Sequence, residues 1–404
     1  MNDDTVRFGS VDWACDKHAA CVVDASGERC AEFEVAHSDA GLAQLVRAFQ
    51  REGVRRVAIE RPDGPVVDAL MEAGLEVVVV TSRSVKALRT RYGMAGNKDD
   101  RSDAYVLADC LRTDGHRWAS LATDSPATLA LRATVRARKD LVATRIATAN
   151  QLRAHLQLVF PGAVGLFAEI DSPISLSFLE RFPTAAKAGW LSERRMAAWL
   201  AAHAYCGRTS AAELVRRLRE APRGLHGGSA ASQAAVTEAL RQVLVAVVAQ
   251  IAALDAGIRE QLALHPDAVI FQSLPRAGTI RAATMLAEIG DCRARFPSPE
   301  TLAALAGVVP STRSSGKHRA VTFRWACDKK LRDAIGDFAQ DSVRGNAWAD
   351  LLYRRHRRLG KRHPHAVRIV GRQWVHVIWR CWMDRVPYQP ERHHALQRVL
   401  APTA

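Results

Sequence analysis

The sequence predicts an α/β domain followed by a long, mainly helical body. Three observations carry that expectation. Apolar runs of period two give way to helical spacing within the first 120 or so residues. Two later stretches step their apolar side chains by three or four over about nine turns each. A Trp-rich helical pattern closes the chain. With 404 residues, 48% hydrophobic and 25% charged, the composition is that of a folded chain of two or three domains.

Residues 6 to 14, 18 to 25 and 28 to 36 read as three strands joined by short turns such as Ala25-Ser26-Gly27, which suits an antiparallel meander. Leu42, Leu45, Val46 and Phe49 then mark a helix. Strand 55 to 60, helix 64 to 73 and strand 75 to 80 follow, the last a continuous apolar run that suggests a buried parallel strand. A meander leading into βαβ units is a ribonuclease H-like pattern. Ser125-Pro126 is an N-cap followed by proline at the first helical position, and it opens a helix to about Val159. Val236, Leu240, Val243, Val247, Ile251, Leu254, Ile258 and Leu262 define a second long helix over roughly 232 to 264. These two suit an antiparallel or intermolecular coiled coil, or else plain amphipathic bundle helices. Residues 163 to 230 are helical and Arg-rich, without recognisable chemistry. Residues 265 to 385 are mostly helical, with Trp374, Trp379 and Trp382 expected in the core. From Pro387 onward the chain looks weakly ordered.

A formal net charge of +15 favours polyanionic partners, nucleic acid above all, because Lys and Arg displace counterions condensed on a phosphate backbone. Eight cysteines without a Cys-x-x-Cys read as reduced thiols of a cytoplasmic protein. The first residues carry acids and no apolar segment, and no run of 18 apolar residues occurs, so neither secretion nor membrane insertion is indicated.

Four carboxylates stand out. Asp12 closes the first apolar run, Glu60 closes Arg56-Val57-Ala58-Ile59, and Asp100 and Asp103 lie three apart where a helical pattern starts. Phosphodiester cleavage needs a cation to neutralise the phosphate, best as two ions about 4 Å apart, and hard divalent cations take oxygen ligands. A lone acid at a strand end is usually a solvated loop carboxylate. Four on successive elements of one βαβ array are not so easily dismissed.

The local words are specific. Gly9-Ser10-Val11-Asp12-Trp13 opens the meander, and Lys98-Asp99-Asp100-Arg101-Ser102-Asp103-Ala104 opens the later helix. Here the chain resembles the DEDD insertion-sequence transposases, whose RuvC-like domain carries Asp, Glu, Asp, Asp in this order and whose last motif is close to Lys-x-Asp-Arg-x-Asp-Ala. The resemblance implies that Asp12, Glu60, Asp100 and Asp103 are both catalytic and metal ligands, for Mg²⁺ or alternatively Mn²⁺, with Asp16 and Asp99 as bystanders.

The resemblance continues downstream. Leu274-Pro275-Arg276-Ala277-Gly278 matches a helix-hairpin-helix turn that the family writes Pro-Gly-x-Gly, so Arg276 here offers a guanidinium where the family has the first glycine. Pro310-Ser311-Thr312-Arg313-Ser314-Ser315-Gly316-Lys317-His318-Arg319 resembles the Pro-x-x-x-Ser-Gly segment that holds the family's serine nucleophile, with four residues instead of three between Pro310 and the Ser315-Gly316 pair. Ser315 is the matching position and Ser314 its neighbour. Arg313, Lys317, Arg319, Arg324 and Arg332 surround that segment, and Arg354 and Arg355 open a basic run, all expected to meet nucleic acid. His363 and His365 lack cysteine partners, and no zinc is assigned.

The expected organisation is a RuvC-like catalytic domain over 1–124, a coiled-coil and helical insert over 125–264, a serine transposase domain over 265–386 and a tail over 387–404. The resemblance implies a recombinase that cuts and exchanges strands of donor and target double-stranded DNA through a phosphoserine link. It also implies targeting by a structured bridge RNA, and a homodimer, joined through the coiled coil, that assembles into a tetramer bringing acids and serine together. Two rival readings are a hydrolytic junction nuclease with a structural Ser315, and a noncatalytic nucleic-acid-binding relative.

Overall fold

A computed structural model describes residues 6–81, 84–86, 99–222, 224, 230–316 and 318–401. It divides into two compact units, 1–123 and 124–404.

The first unit is a mixed five-stranded sheet of ribonuclease H-like topology. The strands are β1 (Phe8–Trp13), β2 (Lys17–Val23), β3 (Arg29–Ala36), β4 (Arg56–Ile59) and β5 (Glu76–Val79), in spatial order β3-β2-β1-β4-β5. The meander pairs antiparallel, whereas β1–β4 and β4–β5 are parallel. Helices α1 (Asp39–Arg51) and α2 (Pro65–Glu72) cover one face, where Leu45, Phe49, Val66 and Leu70 bury against Val11, Val57 and Ile59. Each fully buried side chain of this size contributes about 1.5–3 kcal/mol. Helix α3 (Asp100–Asp114) covers the other face, with Ala104 and Ala108 against Ala19, Cys21 and Val23, and Val106 and Leu107 against Ala58 and Val78. Covering both faces explains why the apolar stretches 19–23 and 77–80 run without a break.

The second unit is helical. It contains α4 (Pro126–Val159), α5 (Pro173–Arg181), α6 (Ala185–Ala188), α7 (Glu193–Ala202), α8 (Ala211–Glu220) and α9 (Ala230–Leu264). It continues with α10 (Ala268–Gln272), α11 (Gly278–Ile289), α12 (Pro299–Leu305), strands β6 (Ser311–Ser315) and β7 (His318–Thr322), and helices α13 (Lys329–Ser342), α14 (Ala347–Arg358), α15 (His363–Asp384) and α16 (His394–Leu400). Ser125 caps α4 as the sequence predicts, accepting from the Thr128 amide at 3.3 Å.

Helices α4 and α9 lie antiparallel along one another. Thr128 meets His265 at 2.8 Å, Arg138 pairs with Asp255, and His155 meets Thr237 at 3.0 Å, so the partner number falls as the other rises. At one end of the pair, Phe160, Phe167, Phe178, Phe182 and Trp199 form a small aromatic core under the Arg-rich segment. At the other end, Leu131, Val135, Ile258 and Leu262 join the main core around Trp374 and Trp382. Between them the pair keeps apolar side chains outside: Ile146 is 55% exposed and Val243 47%. On length and composition alone α9 is apolar enough to cross a membrane.

Buried charge ties the start of α4 to the later helices. Asp124 accepts from the amides of Asp291 and Cys292 at 3.0 Å each and pairs with Arg132 and Arg295. Gly290, at φ +87°, leaves room for that carboxylate, since a Cβ there would lie 2.1 Å from Asp124 Oδ1.

The segment from Pro387 is not the weakly ordered tail the sequence suggested. Tyr388 is buried beside Trp374, and its hydroxyl meets His393 Nδ1 at 2.9 Å. Helix α16 then seats Leu396 in the fold. A Tyr and a His with one aromatic cage to fill outweigh the polar composition around them.

Candidate active site

Strand register places two of the four carboxylates. Val11 of β1 pairs in parallel with Ile59 of β4, both facing α1 and α2. Asp12 and Glu60 are the next residue on each strand, so both turn to the α3 face at the C-terminal ends of neighbouring parallel strands. Asp12 is opposite Ala19 of β2, which packs on Ala104 and Ala108 of α3. Both acids are partly buried.

Helix α3 brings the other two to the same end. Ser10 Oγ donates to the Ala104 carbonyl at 2.5 Å, which fixes the helix above β1. Farther along the helix, Tyr105 donates to Gly27 O at 3.3 Å, Arg112 to Ala25 O at 3.2 Å, and Gly115 O accepts from Arg56 at 3.1 Å. Those partners lie at the start of β4 and at the β2–β3 turn, the N-terminal end of β1. The helix therefore runs against β1, and its first turn, with Asp100 and Asp103, sits over the strand ends that carry Asp12 and Glu60.

Asp103 is 3% exposed, whereas Asp100 is open to solvent. Asp99, expected to be a bystander, is the helix N-cap: it accepts from the Arg101 amide at 3.4 Å and from Ser102 Oγ at 3.2 Å. Its Asp identity was a capping signal in the sequence. Negative charge in this first turn is also favoured by the helix dipole. Lys98 of the same motif lies outside the described residues.

Four further residues, of which sequence reasoning missed Glu34 and Arg61, hold this end together. Glu34 of β3 lies across β2 from Asp12 and receives Arg101 at 3.3 Å, so α3 is pinned at its first turn. On the opposite face, the Arg61 guanidinium lies 4.2 Å over the Trp13 ring, clasping the residues that follow Asp12 and Glu60. The oxygen-only donor set suits a hard divalent cation. Among the described residues no three acidic, His or Cys side chains stand close enough to make a finished metal-binding group. The backbone brings the four carriers to one end of the sheet.

In the second unit, Ser315 is the last residue of β6 and pairs with His318. The expected loop is thus a two-stranded hairpin turning at Gly316, whose φ of +54° suits glycine. Ser314 and Ser315 are both exposed, as are Arg313 and Arg319 on the paired strands. Lys317 lies outside the described residues. Arg324 donates to Val309 O at 3.3 Å, and Arg332 stands beside Asp333 at 3.4 Å and over the Phe323 ring. Arg354 pairs with Asp350 at 2.8 Å on the exposed face of α14, and Arg355 is exposed beside it. Arg276 has a left-handed backbone, φ +58°, and reaches Asp341 at 3.4 Å, which also holds Arg281 at 2.9 Å.

Comparison with known proteins decides the family. Residues 10–161 match a DEDD transposase family of the IS110 type, and residues 268–354 match the transposase IS116/IS110/IS902 family. A mini-circle putative transposase for IS117 from Streptomyces coelicolor is 31% identical across 99% of this chain and 98% of its own length. The chain belongs to the IS110 family of transposases. An uncharacterized 42 kDa protein of insertion element IS900 from Mycobacterium paratuberculosis is 26% identical over 95% of this chain and 97% of its own. As a DEDD transposase the protein is a DNA strand-cleaving enzyme that binds DNA and, by family, uses a divalent metal. The first match spans β1 to the end of α4, and the second spans the serine hairpin.

Proposed function

We propose that this IS110-family transposase cuts and rejoins DNA through Ser315, with Asp12, Glu60, Asp100 and Asp103 holding Mg²⁺. The observation that carries the metal half is the convergence of two adjacent strand ends and one helix N-terminus on the same end of one sheet face. Bound there, the cation would neutralise the scissile phosphate. The chain's own part is to hold four carboxylates on a braced backbone and to present a hydroxyl at a hairpin tip.

In the cleavage step the Ser315 oxygen forms a bond to phosphorus and one strand oxygen leaves, taking up the proton that serine loses. The phosphodiester energy is kept in the phosphoserine, so a hydroxyl of another strand can reverse the step and complete an exchange. The basic surface of Arg313, Arg319, Arg324, Arg332, Arg354 and Arg355 supplies sequence-independent contacts to phosphate. That division leaves target choice to another agent, and we assign it to a structured bridge RNA that pairs with donor and target DNA. Acids and serine would act together in a homodimer that assembles to a tetramer, with the exposed apolar flank of α4 and α9 as a coiled-coil contact, in the cytoplasm of a prokaryotic cell.

Denaturing gels of the cleavage reaction test this. A protein-linked strand should form in wild type and in Ser314→Ala and vanish in Ser315→Ala. Free ends in both wild type and Ser315→Ala would replace the serine reading with hydrolysis. Sequencing of the RNA that copurifies with the protein tests the guide, and purified protein that recombines its element without RNA would end that part.

A further inference from the structure

At the base of the β6–β7 hairpin lies a cavity of about 430 Å³ whose lining, among the described residues, contains no acid. Its walls include Phe323, Arg324, His365, Arg368 and Arg372. The Arg368 guanidinium lies 4.8 Å from the Phe323 ring centre, with Arg332 at 5.8 Å. Burial and the neighbouring Arg332 charge lower the Arg368 pKa, and burial with nearby cations lowers that of His365. Packed edge-on against Phe323, at 4.8 Å between ring centres, is Trp325, 77% exposed. A tryptophan so exposed contributes little to the core, and clustered cations raise one another's energy until an anion arrives.

We propose that this pocket takes one unstacked nucleotide of the DNA strand being cut, with its base against Trp325 and Phe323 and its phosphate on Arg368 and Arg372. Arg324 at the wall follows β7, whose Thr322 pairs with Ser311 at the base of the hairpin, so a nucleotide held here lies four strand residues, about 13 Å, from Ser315 at the tip, within reach of the same DNA strand. An aromatic platform with guanidinium groups is the chemistry that binds unpaired nucleotides without reading their sequence. The sequence carries its trace in the interleaved Phe323-Arg324-Trp325. The proposal rests on Ser315 as nucleophile for its location only.

The test uses the full-length protein with its copurified RNA and DNA duplexes that carry 2-aminopurine either paired or in a one-nucleotide unpaired site. Wild type should bind the unpaired form about tenfold more tightly and quench its fluorescence. Trp325→Ala and Arg368→Ala should lose the preference and the quench while binding blunt duplex within about twofold of wild type, and Trp325→Phe should keep part of both. Trp325→Ala carries the decision, because so exposed a side chain can be removed without unfolding the protein. If that variant keeps the preference, or if wild type prefers only an unpaired ribonucleotide, the proposal is overturned. Ser315→Ala should keep preference and quench. A Ser315→Ala protein that still forms a covalent link would remove the nucleophile assignment and leave the pocket standing.

Discussion

Asp103 and Ser315 sit in contrasting settings. The carboxylate is 3% exposed on a helix bonded to a five-stranded sheet, and the hydroxyl is exposed at the tip of a two-stranded hairpin. The first is braced from several sides: Ser10 to Ala104, Arg101 to Glu34, and Trp13 under Arg61. Cation ligands must keep their spacing within a few tenths of an ångström, so their backbone belongs on a rigid sheet. As the proposed nucleophile, Ser315 would have a different task, since it would approach one strand end and then travel with it.

The largest expected effect breaks the braced side chemically. Asp103→Asn keeps the shape and removes a charge, so strand cleavage should fall by about a thousandfold, the loss of several kcal/mol of metal-derived stabilisation. DNA binding by filter retention should stay within about threefold, because the proposed phosphate contacts lie on basic residues elsewhere. Cleavage within tenfold of wild type would remove Asp103 from the site.

On the hairpin side, Gly316→Val forces a β-branched residue to φ +54°, at about 1–2 kcal/mol of strain. An isolated hairpin unfolds locally, so the thermal midpoint should move little while the phosphoserine yield on gels drops at least about tenfold. A large fall in midpoint with normal yield would mean that the hairpin is structural and the contrast false.

Much of the first region was legible in the sequence, because period-two runs fix strands, strand ends fix where acids emerge, and Pro, Ser and Asp mark helix starts. The sheet order and the reversed run of α3 were not, since they depend on bonds between residues far apart in the chain, such as Ser10 to Ala104 and Arg56 to Gly115. Asp99 was readable and was passed over, although an Asp before a helical pattern is a cap before it is anything else. In the second unit only a family resemblance marks Ser315 in the sequence, and a hairpin of Ser, Thr and Arg has no apolar alternation to announce it. The anchoring of Tyr388 depends on Trp374 and His393 meeting it in space, which local polarity hides.

Acid should loosen the braced end before the hairpin. His18 is buried opposite Trp13 and meets His37 at 2.9 Å; burial first, and the His37 charge second, hold its pKa below 6.5. Such a group binds fewer protons folded than unfolded. Its contribution is therefore complete above about pH 6.5 and is lost progressively as pH falls toward the folded value. The urea midpoint of the first unit should drop between about pH 7.5 and about pH 5.5, and less so in His18→Asn. A midpoint unchanged over that range would show that the strand end carrying Asp12 is held without His18.

The smallest effect separates fold from contact at Arg276. Its left-handed backbone costs about 1 kcal/mol, and its half-exposed ion pair with Asp341 returns about 0–1 kcal/mol, while Asp341 keeps Arg281 in any case. Glycine removes the strain but adds freedom to the unfolded chain, so Arg276→Gly should leave stability within about 1 kcal/mol. If the guanidinium has taken over the phosphate contact of a glycine turn, the same variant weakens DNA binding and lowers the salt slope by about one. An unchanged salt slope would assign Arg276 to the turn alone, and the basic surface around the hairpin would have to hold DNA without it.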